Sequence, residues 1–194
     1  MEPPGHGTPA VRRTRYARLT WQTWRTRPAD AAARPAAGRF DEAVRRYLRD
    51  RPQATVVALG EGLDPGFWRV DNGQLRWLTV EEPGTAALRR MLLPDGPRWH
   101  TLTGRATGPH WPAAVTRPAL GVLVLAFGPP PAPGALHELC VLCARRLPGA
   151  TLLLDAPLRH LAATTGDWPV GTERRSWSAR RAAAPALTEF RFGG

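Results

Sequence analysis

The sequence contains no lysine, so its net charge of +11 at neutral pH comes from arginine alone. No stretch approaches the roughly 18 to 20 consecutive apolar residues of a membrane-spanning helix, and we expect no membrane partner. The N-terminal segment MEPPGHGTPAVRRTRY lacks the apolar centre of a secretory signal. Neither a P-loop nor a serine nucleophile elbow is present. The missing membrane span and secretory signal predict a cytoplasmic protein. The missing motifs argue against P-loop and serine-elbow chemistry.

Strong basicity is typical of proteins that bind nucleic acid or acidic membranes. The arginines of this chain are scattered, however, and many lie near its two ends. No ribonucleoprotein motif, zinc finger or basic leucine-zipper region accompanies them. We therefore interpret the charge as a solvated arginine-rich surface that suits an acidic protein partner, and we do not expect nucleic acid to bind.

The two cysteines are Cys140 and Cys143, and with His137 they form an H-x-x-C-x-x-C pattern. Three such ligands on one helix would suit zinc, but a fourth ligand is not apparent. The surrounding segment ALHELCVLCARRLPGA is leucine-rich, and free cysteine packs as a small apolar side chain. We predict that both cysteines lie on a helix packed against a sheet, reduced and without metal.

A chain of 194 residues is long enough for one domain with a sizeable core. Residues 1–38 are rich in proline and arginine and predict an N-terminal arm, with a short helix in YARLTWQTW. Residues 39–194 predict an α/β domain that ends in an irregular arm over 158–194. Within it, FDEAVRRYLRDRP places apolar residues from Phe40 onward at helical spacing.

Short apolar runs and amphipathic stretches alternate along the domain. The predicted strands are ATVVALG, QLRWLTVEEP, DGPRWHTLTG, GVLVLAFG and ATLLLDAP. The predicted helices between them include TAALRRMLLP and APGALHELCVLCARRLPG. This alternation predicts a mostly parallel sheet with helices on both faces.

The turn GEGLD follows the first predicted strand. Ligands of open α/β sheets bind at the carboxyl ends of the strands, and Gly60 and Gly62 would let backbone approach a ligand closely. Glu81 ends the second strand 19 positions after Gly62, where an acid would meet a nucleotide ribose. The alternative is a plain turn followed by a surface acid. The β-α-β context favours the ligand site.

The segment VVALGEGLDPGFWRV, followed by LRWLTVEEP, resembles S-adenosylmethionine-dependent methyltransferases of the leucine carboxyl methyltransferase type. That family includes O-methyltransferases of bacterial polyketide and other secondary metabolism. The resemblance runs from about Phe40 to about Pro157. It implies a class I methyltransferase-like, Rossmann-like fold, S-adenosylmethionine as cofactor and a small biosynthetic intermediate as substrate. The implied cofactor-binding residues are Gly60, Glu61, Gly62, Asp64 and Glu81.

Three features depart from the family pattern. In the family an upstream arginine holds the cofactor carboxylate. Ala36 lies near that position here, Arg34 or Arg39 could substitute, and Arg39 is our candidate. Gly108, in RATGPHW, takes the place of an aspartate that contacts adenine. The loop Ala126–Gly134 is rich in proline, which removes backbone donors. These departures support an alternative, a degenerate member that does not methylate and acts as another biosynthetic enzyme or as a partner subunit.

Methyl transfer to oxygen also needs a base or an acceptor that is already ionised. The candidates by residue type are His100, His110, His137 and His160. We choose His110 first, because it lies on the segment expected to face the cofactor. A packing or solvent role is the alternative for each histidine.

The chain continues for only about 37 residues beyond Pro157. In that stretch only ALTEFRF is strand-like, so we predict a sheet truncated at its C-terminus with an unpaired edge after ATLLLDAP. Such an edge and the basic charge predict a homodimer or a complex with an acidic protein of the same pathway. The alternative is that ALTEFRF folds back as the edge strand of a monomer.

Overall fold

We describe residues 34–128, 133–155, 168–177 and 187–193 of a computed structural model of the chain. The N-terminal arm up to residue 33, His160 and the prolines at 129–131 lie outside these residues. Helices and strands follow in this order: α1 Arg34–Asp50, β1 Thr55–Leu59, α2 Gly66–Val70, β2 Arg76–Glu81, α3 Pro83–Leu92, β3 Trp99–Thr103, β4 Val122–Ala126, α4 Pro133–Arg146, β5 Thr151–Leu154, β6 Thr172–Trp177 and β7 Leu187–Phe192.

The strands form one sheet in the order β3-β2-β1-β4-β5-β7-β6. Strands β1 to β5 are parallel, and β7 runs antiparallel to both β5 and β6. The chain reverses its direction of travel across the sheet between β1 and β4, where ligands of such sheets bind. This topology confirms the predicted fold class, a class I methyltransferase-like sheet that is mostly parallel.

Alternate residues of the central strands pack against helices on opposite faces. On one face α1 covers Val56, Leu123 and Leu125 of β1 and β4. On the other face α4 covers Val57 and Val124. Because both faces are covered, β1 is buried along its whole length, as its unbroken apolar run predicts. The sheet therefore supplies a rigid frame for the loops at its ends.

Helix α1 begins at Arg34, six residues before the amphipathic stretch that starts at Phe40. Pro35 lies in its first turn, where a missing N–H costs no helical hydrogen bond, so the linker-like composition did not predict this start. None of the described helices is long and apolar enough to cross a membrane.

The prediction of an irregular C-terminal arm is wrong for Thr172–Trp177, and the predicted unpaired edge after ATLLLDAP is wrong because the strand-like segment ALTEFRF folds back onto the sheet, which was the alternative. Residues Thr172–Trp177 form β6, and Leu187–Phe192 form β7, which pairs with β5 along Thr151–Leu154. The segment TERRSW does not look strand-like, because β6 is an edge strand and edge strands tolerate charged side chains. The edge of β5 is thus paired within the chain.

Candidate functional site

A pocket of about 230 Å³ lies at the carboxyl ends of β1, β2, β4 and β5. Its wall is mainly apolar, with three acidic side chains. The described lining consists of Leu59, Gly60, Val80, Glu81, Glu82, Gly104, Ala106, Thr107, Ala126, Phe127, Gly128, Ala135, Leu139, Leu154 and Asp155. The pocket therefore coincides with the point where the strand order reverses, which is the position predicted for a ligand.

The turn after β1 brings backbone to the pocket. Gly60 and Gly62 have φ angles of 72° and 65°, which side chains other than that of glycine rarely adopt. The Gly60 N–H donates to the Val80 carbonyl oxygen at 3.0 Å, which ties the turn to β2. The absence of a side chain at Gly60 leaves this part of the wall as bare backbone.

The carboxylate of Glu81 joins this turn to the end of β2. The Gly62 N–H donates to Oε1 of Glu81 at 2.6 Å, so the two residues that were predicted to meet the same ligand also contact each other. Burial raises the pKa of Glu81, while the Gly62 N–H and the charge of Arg89 act in the opposite direction. A carboxylate fixed in this way presents acceptor oxygens to the pocket.

Glu61 points into the protein and does not contribute to the pocket wall. Its carboxylate accepts hydrogen bonds from Gly66 N–H, Trp77 Nε1, Thr79 Oγ1 and Arg89 Nη2, at 2.9 to 3.1 Å. Burial raises the pKa of Glu61 to about 7, and the guanidinium of Arg89 opposes that rise. Glu61 therefore fastens the turn to β2 and α3 instead of facing a ligand.

Asp64 also lies among the protein's own side chains, outside the described pocket wall. Both of its oxygens accept from Arg69, whose Nε and Nη2 also donate to Asp41 of α1, at 2.6 and 2.9 Å. Burial raises the pKa of Asp64, against the effect of Arg69. The Asp64–Arg69–Asp41 group thus ties the turn to α2 and α1.

Arg89 of α3 is the residue of this region that sequence reasoning missed. It is 3% exposed, and it donates to the carbonyl oxygens of Gly62 and Asp64 as well as to Glu61. One signal in the sequence could have indicated it. Arg89 lies on the same helical face as the buried residues Ala86 and Leu93, so an arginine stands in an apolar stripe.

Arg39 of α1 pairs with Asp155, which follows β5 and lines the pocket. Nη2 of Arg39 donates to Oδ1 of Asp155, whereas Nε of Arg39 is buried without an acceptor. The sequence reasoning proposed Arg39 but not Asp155. The signal that could have found Asp155 is an acid next to the carboxyl end of a buried strand, the same signal that indicated Glu81 at the end of β2.

His110 is exposed and precedes a short 3-10 helix, Trp111–Ala114, and it is not among the described residues of the pocket wall. Nε1 of Trp111 donates to the Ala106 carbonyl oxygen at 2.8 Å, which helps to position Ala106 in the pocket wall. A Cβ at Gly108 would lie 3.0 Å from the Arg105 carbonyl oxygen. This tight turn is a local reason why Gly108 stands where the family has an aspartate.

The remaining described histidines lie away from the pocket wall. His100 is exposed on β3. His137 lies on α4, and its ring is 6.3 Å from that of Trp168, which precedes β6. No cluster of three metal-ligating side chains occurs within residues 34–128, 133–155, 168–177 and 187–193.

Cys140 and Cys143 lie on α4 and pack against the sheet, as predicted. Burial raises the pKa of Cys140 to about 12 and that of Cys143 further. Because the thiolate is the reactive form, we expect neither thiol to react with Ellman's reagent in the folded protein, and both to react in denaturant. Rapid reaction of the folded protein, or stoichiometric zinc in elemental analysis, would contradict this assignment.

No protein-family model matches the chain. Over 158 residues the chain is 30% identical to the tetracenomycin polyketide synthesis O-methyltransferase TcmP of Streptomyces glaucescens. The alignment covers 71% of this chain and 56% of TcmP, so the chain spans about half the length of this curated relative.

Several solved structures share the architecture, and two of the three described next are of methyltransferases. The S-adenosylhomocysteine-bound methyltransferase PaMTH1 of Podospora anserina has a TM-score of 0.59 at 14% identity, covering 100% of this chain and 99% of its own. A mutant of MtNAS in complex with S-adenosylmethionine has a TM-score of 0.57 at 14% identity, and the match covers 92% of this chain and 72% of MtNAS. The putative methyltransferase yhhF of Escherichia coli has a TM-score of 0.52 at 11% identity, and the match covers 80% of this chain and 86% of yhhF. The chain has the fold of the S-adenosylmethionine-dependent methyltransferases.

Proposed function

We propose that the chain is an S-adenosylmethionine-dependent O-methyltransferase of the leucine carboxyl methyltransferase type, acting on an intermediate of bacterial secondary metabolism. The observation that carries this proposal is the Glu81 carboxylate, held at the pocket wall by the Gly62 N–H. An acid at this position suits the two hydroxyls of a ribose. The 30% identity to TcmP supports an oxygen acceptor and a polyketide-related substrate.

The residues of the pocket fit such a cofactor. Glu81 offers carboxylate oxygens to the ribose, and the Gly60 turn leaves room at the backbone. Leu139 and Leu154 supply an apolar wall for the less polar parts of the ligand. Asp155, which lines the pocket and pairs with Arg39, offers a carboxylate to a cationic group of the ligand. When bound, the cofactor supplies an electrophilic methyl group on its sulfonium, and the chain orients the acceptor and excludes water.

The acceptor would be a carboxylate or a hydroxyl of the intermediate. A carboxylate is already ionised near neutral pH and needs no base, whereas a hydroxyl needs one. The titratable side chains in the described pocket wall are Glu81, Glu82 and Asp155. His110 stays our candidate base for a hydroxyl acceptor, and its exposed position would require the bound substrate to reach it.

A second candidate function is a degenerate protein of this fold that does not methylate and acts as another biosynthetic enzyme or as a partner subunit. Two observations favour it. Arg39 already donates to Asp155, so a cofactor carboxylate would have to share that guanidinium. Gly108 cannot make the adenine contact that the family aspartate makes.

Calorimetric titration with S-adenosylmethionine and S-adenosylhomocysteine tests the proposal. We expect one site per chain for each ligand, and transfer of a labelled methyl group to a carboxylate or hydroxyl acceptor. Binding without transfer to any acceptor of the pathway would favour the degenerate protein. The absence of binding at millimolar ligand would rule the methyltransferase out.

We also propose that the chain forms a homodimer or a complex with an acidic protein of its pathway. Support comes from the net charge of +11 and from exposed arginines on two helices, among them Arg45 and Arg49 on α1 and Arg145 and Arg146 on α4. Light scattering should show a mass above that of one chain, alone or with the partner, and a hetero-complex should weaken with salt. A monomer that recruits no pathway protein and still turns over substrate would contradict it.

A further inference from the structure

Asp155, which lines the proposed cofactor pocket, forms an ion pair with Arg39, which is not among the described residues of the wall. Both side chains are partly buried, with 27% and 17% of their surfaces exposed. Asp155 follows β5 directly and contributes to the pocket wall beside Leu154. Arg39 uses Nη2 for Asp155 and keeps its buried Nε without an acceptor. The pair thus places the guanidinium of Arg39 next to the carboxylate that lines the pocket.

The position of the pair relative to Glu81 follows from the strand order β2-β1-β4-β5. Neighbouring strands lie about 4.8 Å apart, so the ends of β2 and β5 are separated by about 14 Å across the pocket. Glu81 therefore lies at one end of the pocket and Asp155 at the other. A ligand whose ribose contacts Glu81 would bring a group on the far side of its sulfur towards Asp155.

In S-adenosylmethionine the group beyond the sulfur is an amino acid, which carries an ammonium and a carboxylate. We infer that Asp155 recognises this α-ammonium group, while Arg39 holds Asp155 in place. The inference rests on the proposed function. Such an arrangement places the Asp155 carboxylate between two cations, and charge-assisted hydrogen bonds are stronger than neutral ones.

The competing interpretation is that the pair only ties α1 to the end of β5. The chain offers a matched control in the Arg98–Asp71 pair, whose side chains are 30% and 26% exposed. Neither Arg98 nor Asp71 lies in the described pocket wall. Asp71→Asn therefore removes the same kind of ion pair and the same negative charge at a distance from the pocket.

The experiment measures affinity for two ligands that share adenine, ribose and a thioether. S-adenosylhomocysteine carries the amino acid, and 5′-methylthioadenosine lacks it. We expect Asp155→Asn to weaken S-adenosylhomocysteine at least about tenfold, the loss of a charge-assisted contact, and to leave 5′-methylthioadenosine within about twofold. Arg39→Gln should show the same ligand dependence, and Asp71→Asn should change neither affinity. N-acetyl-S-adenosylhomocysteine, which has no ammonium, should bind Asp155→Asn and the unchanged protein equally.

The outcomes separate this inference from the proposed function. Equal loss of both ligands in Asp155→Asn would show a structural tie and overturn the inference alone. A gain in S-adenosylhomocysteine affinity would also overturn it, because Asp155 would then compete with the ligand carboxylate for Arg39. Thermal unfolding of each variant identifies a loss caused by misfolding, and Arg39→Gln then provides the decisive ligand comparison. Failure of the unchanged protein to bind either ligand would overturn the proposed function and, with it, this inference.

Discussion

Replacement of Arg89 with methionine is expected to lower the free energy of unfolding by about 3–5 kcal/mol. Arg89 is 3% exposed and is the cation that faces the fully buried carboxylate of Glu61. The substitution would leave that carboxylate uncompensated and would remove the donors to the Gly62 and Asp64 carbonyl oxygens. Denaturant unfolding followed by circular dichroism measures the loss. A change below about 1 kcal/mol would contradict the role assigned to Arg89.

Two variants control this prediction. Arg90→Met on the same helix removes an exposed arginine that donates to Thr101 and Thr103, and its cost should stay within about 1 kcal/mol. Adding Glu61→Gln to Arg89→Met removes the buried charge that the first substitution leaves alone. The double variant should therefore be more stable than Arg89→Met. If it is less stable, the pairing of the two charges does not explain the effect.

Replacement of Glu81 with alanine is expected to weaken S-adenosylhomocysteine binding at least about tenfold, because two ribose hydroxyls lose a charged acceptor. The Gly62 N–H also loses its 2.6 Å acceptor, so the turn itself becomes less well fixed. Calorimetry on the folded variant measures the change. Since 5′-methylthioadenosine contains the same ribose, Glu81→Ala should weaken both ligands alike, in contrast to Asp155→Asn.

Glu81→Gln and Glu42→Ala serve as controls. Glu81→Gln keeps a carbonyl oxygen for Gly62 and removes the charge, so its loss should be intermediate. Glu42 is exposed on α1 and outside the described pocket wall, and its removal should leave affinity unchanged. Unaltered affinity in Glu81→Ala would show that the acid at the end of β2 does not meet the ligand.

The central strands could be predicted because burial on both faces leaves a continuous apolar run. Val56, Val57 and Ala58 of β1 are completely buried, and the sequence reads accordingly. Strand β6 could not be predicted in this way. It lies at an edge of the sheet and is held by pairing with β7, so Glu173 and Arg175 can remain exposed.

In the site, too, contacts between neighbouring elements could be predicted, whereas burial that depends on distant residues could not. The spacing placed Gly62 and Glu81 at the same end of the sheet, and their hydrogen bond follows from local turn chemistry and from two neighbouring parallel strands. The inward orientation of Glu61 depends on Arg89, 28 residues along the chain. Which of the 27 arginines would be buried is decided by tertiary packing, which residue type alone does not reveal.

The most direct test of the central claim is a crystal structure of the protein with S-adenosylhomocysteine. We predict density for the ligand at the carboxyl ends of β1, β2, β4 and β5, with both ribose hydroxyls within hydrogen-bonding distance of Glu81 and the amino-acid group beside Asp155. Ligand bound elsewhere on the chain, or a pocket that stays empty at millimolar ligand, would contradict the account.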